Sequence, residues 1–195
     1  MGRIFYMMGK SASGKDSLHN ALMEDPTLHL NRVVLYTTRP QREGETNGRE
    51  YFFIGEDRAK ELEQSGKLIE ERCYRTVHGP WKYMTVDDGQ ICLSEKNYLM
   101  IGTLESFRKM QAYFGKEKVV PLYIAVEDGE RLQRALNREK EQPVPGYAEM
   151  CRRFLADEAD FSAEKRKEAG IEVCFENDDF NECIRKLREA ILSGK

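Results

Sequence analysis

Two rhythms of apolar and polar residues run along this chain. Ile4-Phe5-Tyr6-Met7-Met8 is a short, continuous apolar run, which predicts a strand buried on both faces. A Gly/Ser-rich turn follows, and Leu18, Ala21 and Leu22 then recur at helical spacing. Residues 33–36 predict a second strand. The alternation returns later with strands at 98–101 and 119–126 and helices at 104–113 and 131–138. An amphipathic helix over about 147–159, a strand at 171–175 and a helix at 180–192 complete it. In that last helix Ile184, Leu187 and Ile191 recur at helical spacing, with Arg185, Lys186 and Arg188 between them. Strands that alternate with helices predict an α/β fold built on a doubly wound parallel sheet.

Residues 37–88 have a different texture. They are polar, rich in Arg and Glu, and interrupted by Gly44, Gly48, Gly66 and Gly79. Short strands at 51–54 and 68–69 and a helix at 58–64 fit this stretch. We read it as a lobe inserted into a core made of residues 1–36 and 89–195. A charged, proline-broken segment at 139–146 marks a short lid at about 138–147. No linker or internal repeat divides the chain, so residues 1–195 are expected to form one domain.

Charge and cysteine usage narrow the function classes. The net charge of −3 gives no overall field for DNA or RNA, so no nucleic-acid partner is expected and any phosphate must be held by locally placed cations. The five cysteines, Cys73, Cys92, Cys151, Cys174 and Cys183, form no C-x-x-C pair. With only His19, His29 and His78 beside them, they offer no zinc-ligand spacing. They read as reduced core thiols of a cytoplasmic protein. The apolar run at 4–8 is too short to span a membrane or to serve as a signal peptide, so no membrane partner is expected. The chain is expected to be a monomer or homodimer.

The strongest local signal is Gly9-Lys10-Ser11-Ala12-Ser13-Gly14-Lys15-Asp16-Ser17, between the first strand and the first helix. Glycines let the backbone turn tightly, so that N–H groups converge on phosphate oxygens and the helix N-terminus faces the same anion. Lys15 can then reach the β- and γ-phosphates of ATP. The pattern asks for Ser or Thr directly after the lysine, where it helps hold Mg²⁺; here Asp16 stands there and Ser17 follows. Asp16 could bind Mg²⁺ directly or through water, or Ser17 could take that part. Without a ligand, the same residues are a Gly/Ser turn with an acid favourably placed in the first helical turn.

A second block runs from Thr37-Thr38-Arg39-Pro40-Gln41-Arg42-Glu43-Gly44-Glu45 to Gly48-Arg49-Glu50-Tyr51-Phe52-Phe53. With the phosphate loop, it resembles the guanylate kinase family, whose members phosphorylate GMP with ATP. The similarity covers nearly the whole chain and continues at Leu68-Ile69-Glu70, Tyr83-Met84-Thr85, Arg138, Arg153 and Asn177-Asp178-Asp179. The resemblance implies that Arg39 and Arg42 clamp the acceptor phosphate while Tyr51 and Tyr83 donate hydroxyls to it. Two guanidinium forks suit a phosphate through bidentate, charge-assisted bonds. It further implies that Glu70 accepts from the N–H edge of the base, that Thr85 adds a hydroxyl, and that Asn177 lies near the donor adenine. Arg138 and Arg153 would close from the lid onto the migrating phosphoryl group, adding their charge to that of Lys15 and Arg39.

The sequence departs from the family in its base pocket. A serine that contacts guanine is Leu35 here, and two acids at a strand end are Met100 and Gly102. Gln41, Glu50 and Met84 replace the usual proline, aspartate and glycine. The Gly14-Lys15-Asp16-Ser17-Leu18 run also resembles ribose 1,5-bisphosphate phosphokinases, but those do not share the 37–53 block. A GMP-like acceptor therefore ranks first. The non-enzyme alternative, a protein-binding scaffold on this fold, fits poorly with an intact Gly14-Lys15 pair.

Overall fold

The computed structural model describes residues 2–76 and 79–194. His78, one of the three histidines weighed above, lies outside them. In chain order the elements are β1 (Ile4–Met8), α1 (Lys15–Glu24), β2 (Leu30–Asn31), β3 (Leu35–Thr37), β4 (Tyr51–Phe53), α2 (Glu56–Gln64), β5 (Leu68–Thr76) and β6 (Gly79–Val86). They continue with β7 (Asn97–Ile101), α3 (Leu104–Phe114), β8 (Val119–Ala125), α4 (Asp128–Lys140), α5 (Tyr147–Asp160), α6 (Ala163–Glu168), β9 (Cys174–Glu176) and α7 (Phe180–Ser193).

Helices cover both faces of a five-stranded parallel sheet ordered β2-β7-β1-β8-β9. The central β1 is buried along its whole length, as its uninterrupted apolar run requires. Its residues divide by the twofold period of a strand. Ile4, Tyr6 and Met8 join Phe107, Met110, Tyr123 and Phe161 on one face. Phe5 and Met7 join Leu18, Leu22, Leu187 and Ile191 on the other. The parallel α/β architecture is thus the one the alternating pattern predicts.

A second, mixed sheet has the order β4-β3-β6-β5. Its small core holds Ala59, Leu62, Met84 and Val86. Here the structure departs from the expected elements. Residues 33–36 do not give a strand to the central sheet. That sheet takes Leu30–Asn31 instead, and Leu35–Thr37 pairs in the second sheet with β4 and β6. The strand expected at 68–69 runs on to Thr76 and pairs antiparallel with β6. An antiparallel pair needs only one apolar face, so polar residues such as Glu70 and Arg72 hide it from a search for apolar runs. The short α6 is missed for a like reason, since its sequence is AEKRKE. The thiols also differ from expectation: only Cys183 is buried, and the other four are exposed and unpaired.

Candidate active site

β1 delivers the chain into the phosphate loop at the carboxyl end of the central sheet, where open α/β sheets hold ligands. The loop is shaped by close packing as well as by glycine. At Gly14 φ is +80°, and a Cβ there would lie 2.4 Å from Asn177 Nδ2. A Cβ at Gly9 would lie 2.6 Å from the Ile124 carbonyl oxygen. Ala12 adopts φ of 61°, a left-handed conformation that a side chain disfavours. Gly14 is the N-cap of α1 and supplies no side chain to it, so the first-turn N–H groups have no side-chain cap. That leaves the helix end suited to an anion.

Buried polar contacts hold the loop from behind. The Asn177 amide donates to the Ser13 carbonyl at 2.8 Å, and the Asn177 N–H donates to the Ala125 carbonyl at 2.9 Å. Asn177 therefore ties β9 to the loop, while Asp179 caps α7 by accepting from Glu182 N–H. Arg131 is fully buried and donates to the Ser11 carbonyl at 3.1 Å, to Asp128 at 2.7 Å and to Glu158 at 2.9 Å. Its guanidinium lies over Phe154, 4.6 Å from the ring centre. Lys10 pairs with Asp128 and Glu158, and Asp157 accepts from the Ser11 N–H at 2.7 Å. These contacts join α4 and α5 to the loop.

In front of the loop opens a cleft of about 980 Å³. Ser11, Lys15 and Asp16 line it on the loop side, and Tyr51, Arg72 and Tyr83 on the second-sheet side. A smaller cavity of about 260 Å³ lies between α4 and α5. Ser11, Arg138 and Arg153 line it together, so both arginines open onto a cavity that the edge of the phosphate loop also lines. Arg153 pairs with Glu149 at 2.9 Å. Asp16 and Ser17 stand exposed on the first turn of α1. One carboxylate and one hydroxyl suit Mg²⁺, which keeps most of its shell for water and phosphate oxygens. No group of three or more His, Cys, Asp or Glu side chains among the described residues could hold a metal by itself.

The second-sheet side is organised around charge. Arg39 is 4% exposed and donates to both carboxylate oxygens of Glu45, at 2.9 and 2.7 Å. It lies about 5.5 Å from the ring centres of Tyr51 and Phe53. Arg39 and the Arg42 N–H hold the Glu45 carboxyl down at about 2. The Arg42 side chain itself is exposed. Tyr51, Tyr74 and Tyr83 meet edge to face.

Glu70 and Thr85 are brought together, both buried and neither among the residues that line the cleft. The Thr85 hydroxyl donates to Glu70 Oε1 at 2.9 Å, and both residues are at most 2% exposed. Arg72 covers them, with its Nη2 donating to Glu70 Oε1 at 3.2 Å. At the neighbouring strand end, a Cβ on Gly102 would lie 2.2 Å from the Tyr6 hydroxyl, which bonds Ser106 at 2.6 Å. Burial pushes that hydroxyl up to about 12, so it stays neutral. The space that an acid would use is filled by a phenol.

A family model described as guanylate kinase matches residues 1–193. A guanylate kinase of Porphyromonas gingivalis is 23% identical over 98% of this chain and 97% of its own length. One of Methylobacillus flagellatus is 28% identical over 100% and 90%. A guanylate kinase of Lactobacillus acidophilus reaches 33% identity, over 47% of this chain and 48% of its own. Among solved structures, a guanylate kinase of Anaplasma phagocytophilum superposes with a TM-score of 0.67 at 18% identity, covering 98% of this chain and 85% of that one.

Proposed function

Because this chain belongs to the guanylate kinase family, we propose that it transfers the γ-phosphoryl group of ATP to the phosphate of GMP, giving ADP and GDP. The observation that carries this reading is the shared cleft: Lys15 and the Tyr51 and Tyr83 rings line one cavity. A donor held by the loop and an acceptor held by the second sheet would meet there.

The acceptor oxygen is already ionised, so the chain's task is to position the two nucleotides and stabilise charge. The loop N–H groups and Lys15 bind the donor phosphates. Tyr51 and Tyr83 donate hydroxyls to the acceptor phosphate, beside Arg39 and Arg42. Arg138 and Arg153 close from the α4–α5 side and exclude water, which limits loss of ATP to hydrolysis. Asp16 and Ser17 would hold Mg²⁺, which when bound offsets charge on the β- and γ-phosphates. We place this activity in the cytoplasm, in a monomer or homodimer that acts on free nucleotides.

The test is ADP release across GMP, dGMP, AMP, CMP, UMP and ribose 1,5-bisphosphate. Turnover with GMP is expected, and Lys15→Ala should lower it about 10²–10³-fold. Activity confined to ribose 1,5-bisphosphate, or a Lys15→Ala rate near that of the unaltered chain, overturns the reading.

A further inference from the structure

The wall where the acceptor base would lie holds an arginine in front of the carboxylate. Glu70 and Arg72 are two residues apart on β5 and so share a face of the strand. Burial falls along that face, since the Glu70 side chain is 0% exposed and the Arg72 side chain 15%. Glu70 Oε1 already accepts from the Thr85 hydroxyl and from Arg72 Nη2. Its Oε2 lies 3.2 Å from Arg72 Nε as an ion pair, though neither atom makes a hydrogen bond. The carboxylate is fully buried, and of the pair it is Arg72 that lines the cleft. Nearby on the wall, Leu35 and Gly102 offer no polar side-chain atom, and the Tyr6 hydroxyl is held by Ser106.

A carboxylate and a guanidinium read opposite edges of a purine. A carboxylate accepts only, and so selects the N1–H and 2-amino donors of guanine. A guanidinium donates only, and its planar fork matches two adjacent acceptors such as O6 and N7. Adenine presents a donor at position 6 and cannot accept that fork.

We propose that Arg72 is the specificity-determining residue of the acceptor site and takes the O6/N7 edge of a 6-oxopurine, with Glu70 as the positioning residue that orients its guanidinium. This rests on the phosphoryl-transfer reading above and deepens it. The acceptor class is then 6-oxopurine nucleoside monophosphates, and the 2-amino group of guanine goes unread.

The experiment compares kcat/KM for GMP, inosine monophosphate and AMP in the unaltered chain, in Arg72→Lys and in Glu70→Gln/Arg72→Gln. Inosine monophosphate keeps O6 and N7 but lacks the 2-amino group. It is expected within about 10-fold of GMP, with AMP at least about 10-fold below both. Arg72→Lys keeps a cation beside Glu70 but loses the fork. It should lower GMP and inosine monophosphate together by about 10- to 100-fold, with little change for AMP or in the KM for ATP. The double variant leaves no buried charge unpaired and should likewise bring the GMP and AMP values together. A merely structural role for Arg72 would lower all three acceptors alike, and that outcome overturns the proposal. So does rejection of inosine monophosphate as strong as that of AMP, which would show a carboxylate reading the 2-amino edge. GMP turnover in either of those cases leaves the phosphoryl-transfer reading standing, whereas absence of turnover with every purine monophosphate removes both.

Discussion

The phosphate loop and the β5 wall face one another across a single cleft and are held in opposite ways. At the loop the groups we assign to the ligand are backbone N–H donors, among them those at the uncapped start of α1. Buried side chains fix them from behind, Asn177 through the Ser13 carbonyl and Arg131 through the Ser11 carbonyl. On the wall the polar groups are side chains that hold one another in part: Thr85 and Arg72 both donate to Glu70 Oε1, while Glu70 Oε2 and Arg72 Nε are buried without a hydrogen-bond partner. A backbone site keeps its chemistry while its supports vary. A side-chain site changes its chemistry with one substitution, because the group at the cleft is itself held by the groups behind it.

Four substitutions separate the two arrangements, taken here from the largest expected effect to the smallest. Glu70→Ala strips the partly buried Arg72 guanidinium of its partner and should cost about 3 kcal/mol of folding free energy, measured by urea unfolding. A loss under about 1 kcal/mol would mean that the wall is not held by this pair. Gly14→Ala forces a side chain into positive φ and against Asn177. We expect about 1–3 kcal/mol of destabilisation together with weakened ATP binding, read by calorimetry. Unchanged ATP affinity would show that the loop tolerates a shift of its backbone.

Asn177→Ala removes one buried bond and should cost about 1 kcal/mol. The loss should appear in ATP affinity and leave the KM for the acceptor alone, because the bond supports the loop and not the wall. Movement of both constants would blur the distinction between the two regions. Ala12→Gly should have the smallest effect. It relieves the left-handed strain and raises stability by up to about 1 kcal/mol, which a thermal melt would detect.

The same contrast explains what could be read from the residues alone. The phosphate loop is a contiguous motif whose chemistry lies in its own backbone, so Gly9 to Ser17 announces it. The parallel sheet is legible because β1 is apolar at every position. The supports of the loop come from α4, α5 and β9, far apart in the chain, and nothing local in Arg131 or Asp157 marks them. Arg72 lay closer to reach. A strand carried on from Leu68 to Thr76 puts Glu70, Arg72 and Tyr74 on one face by simple alternation. An apolar-run criterion stops that strand at Ile69, because Glu70, Glu71 and Arg72 interrupt the pattern.

The Tyr6 hydroxyl above Gly102 has a consequence for any route by which this site could change. An acid cannot enter at position 102 as the core stands, since its Cβ would lie 2.2 Å from the Tyr6 hydroxyl and 2.8 Å from Ser106 Oγ. Tyr6 must be shortened first, and that step alone opens a hole in the core beside Phe107. Gly102→Asp and Tyr6→Ala are thus expected to be harmful singly and compatible together. The order in which substitutions can accumulate here is set by Tyr6 and its bonded partner Ser106, so an acidic strand end needs coupled changes in the core and is not one mutation away.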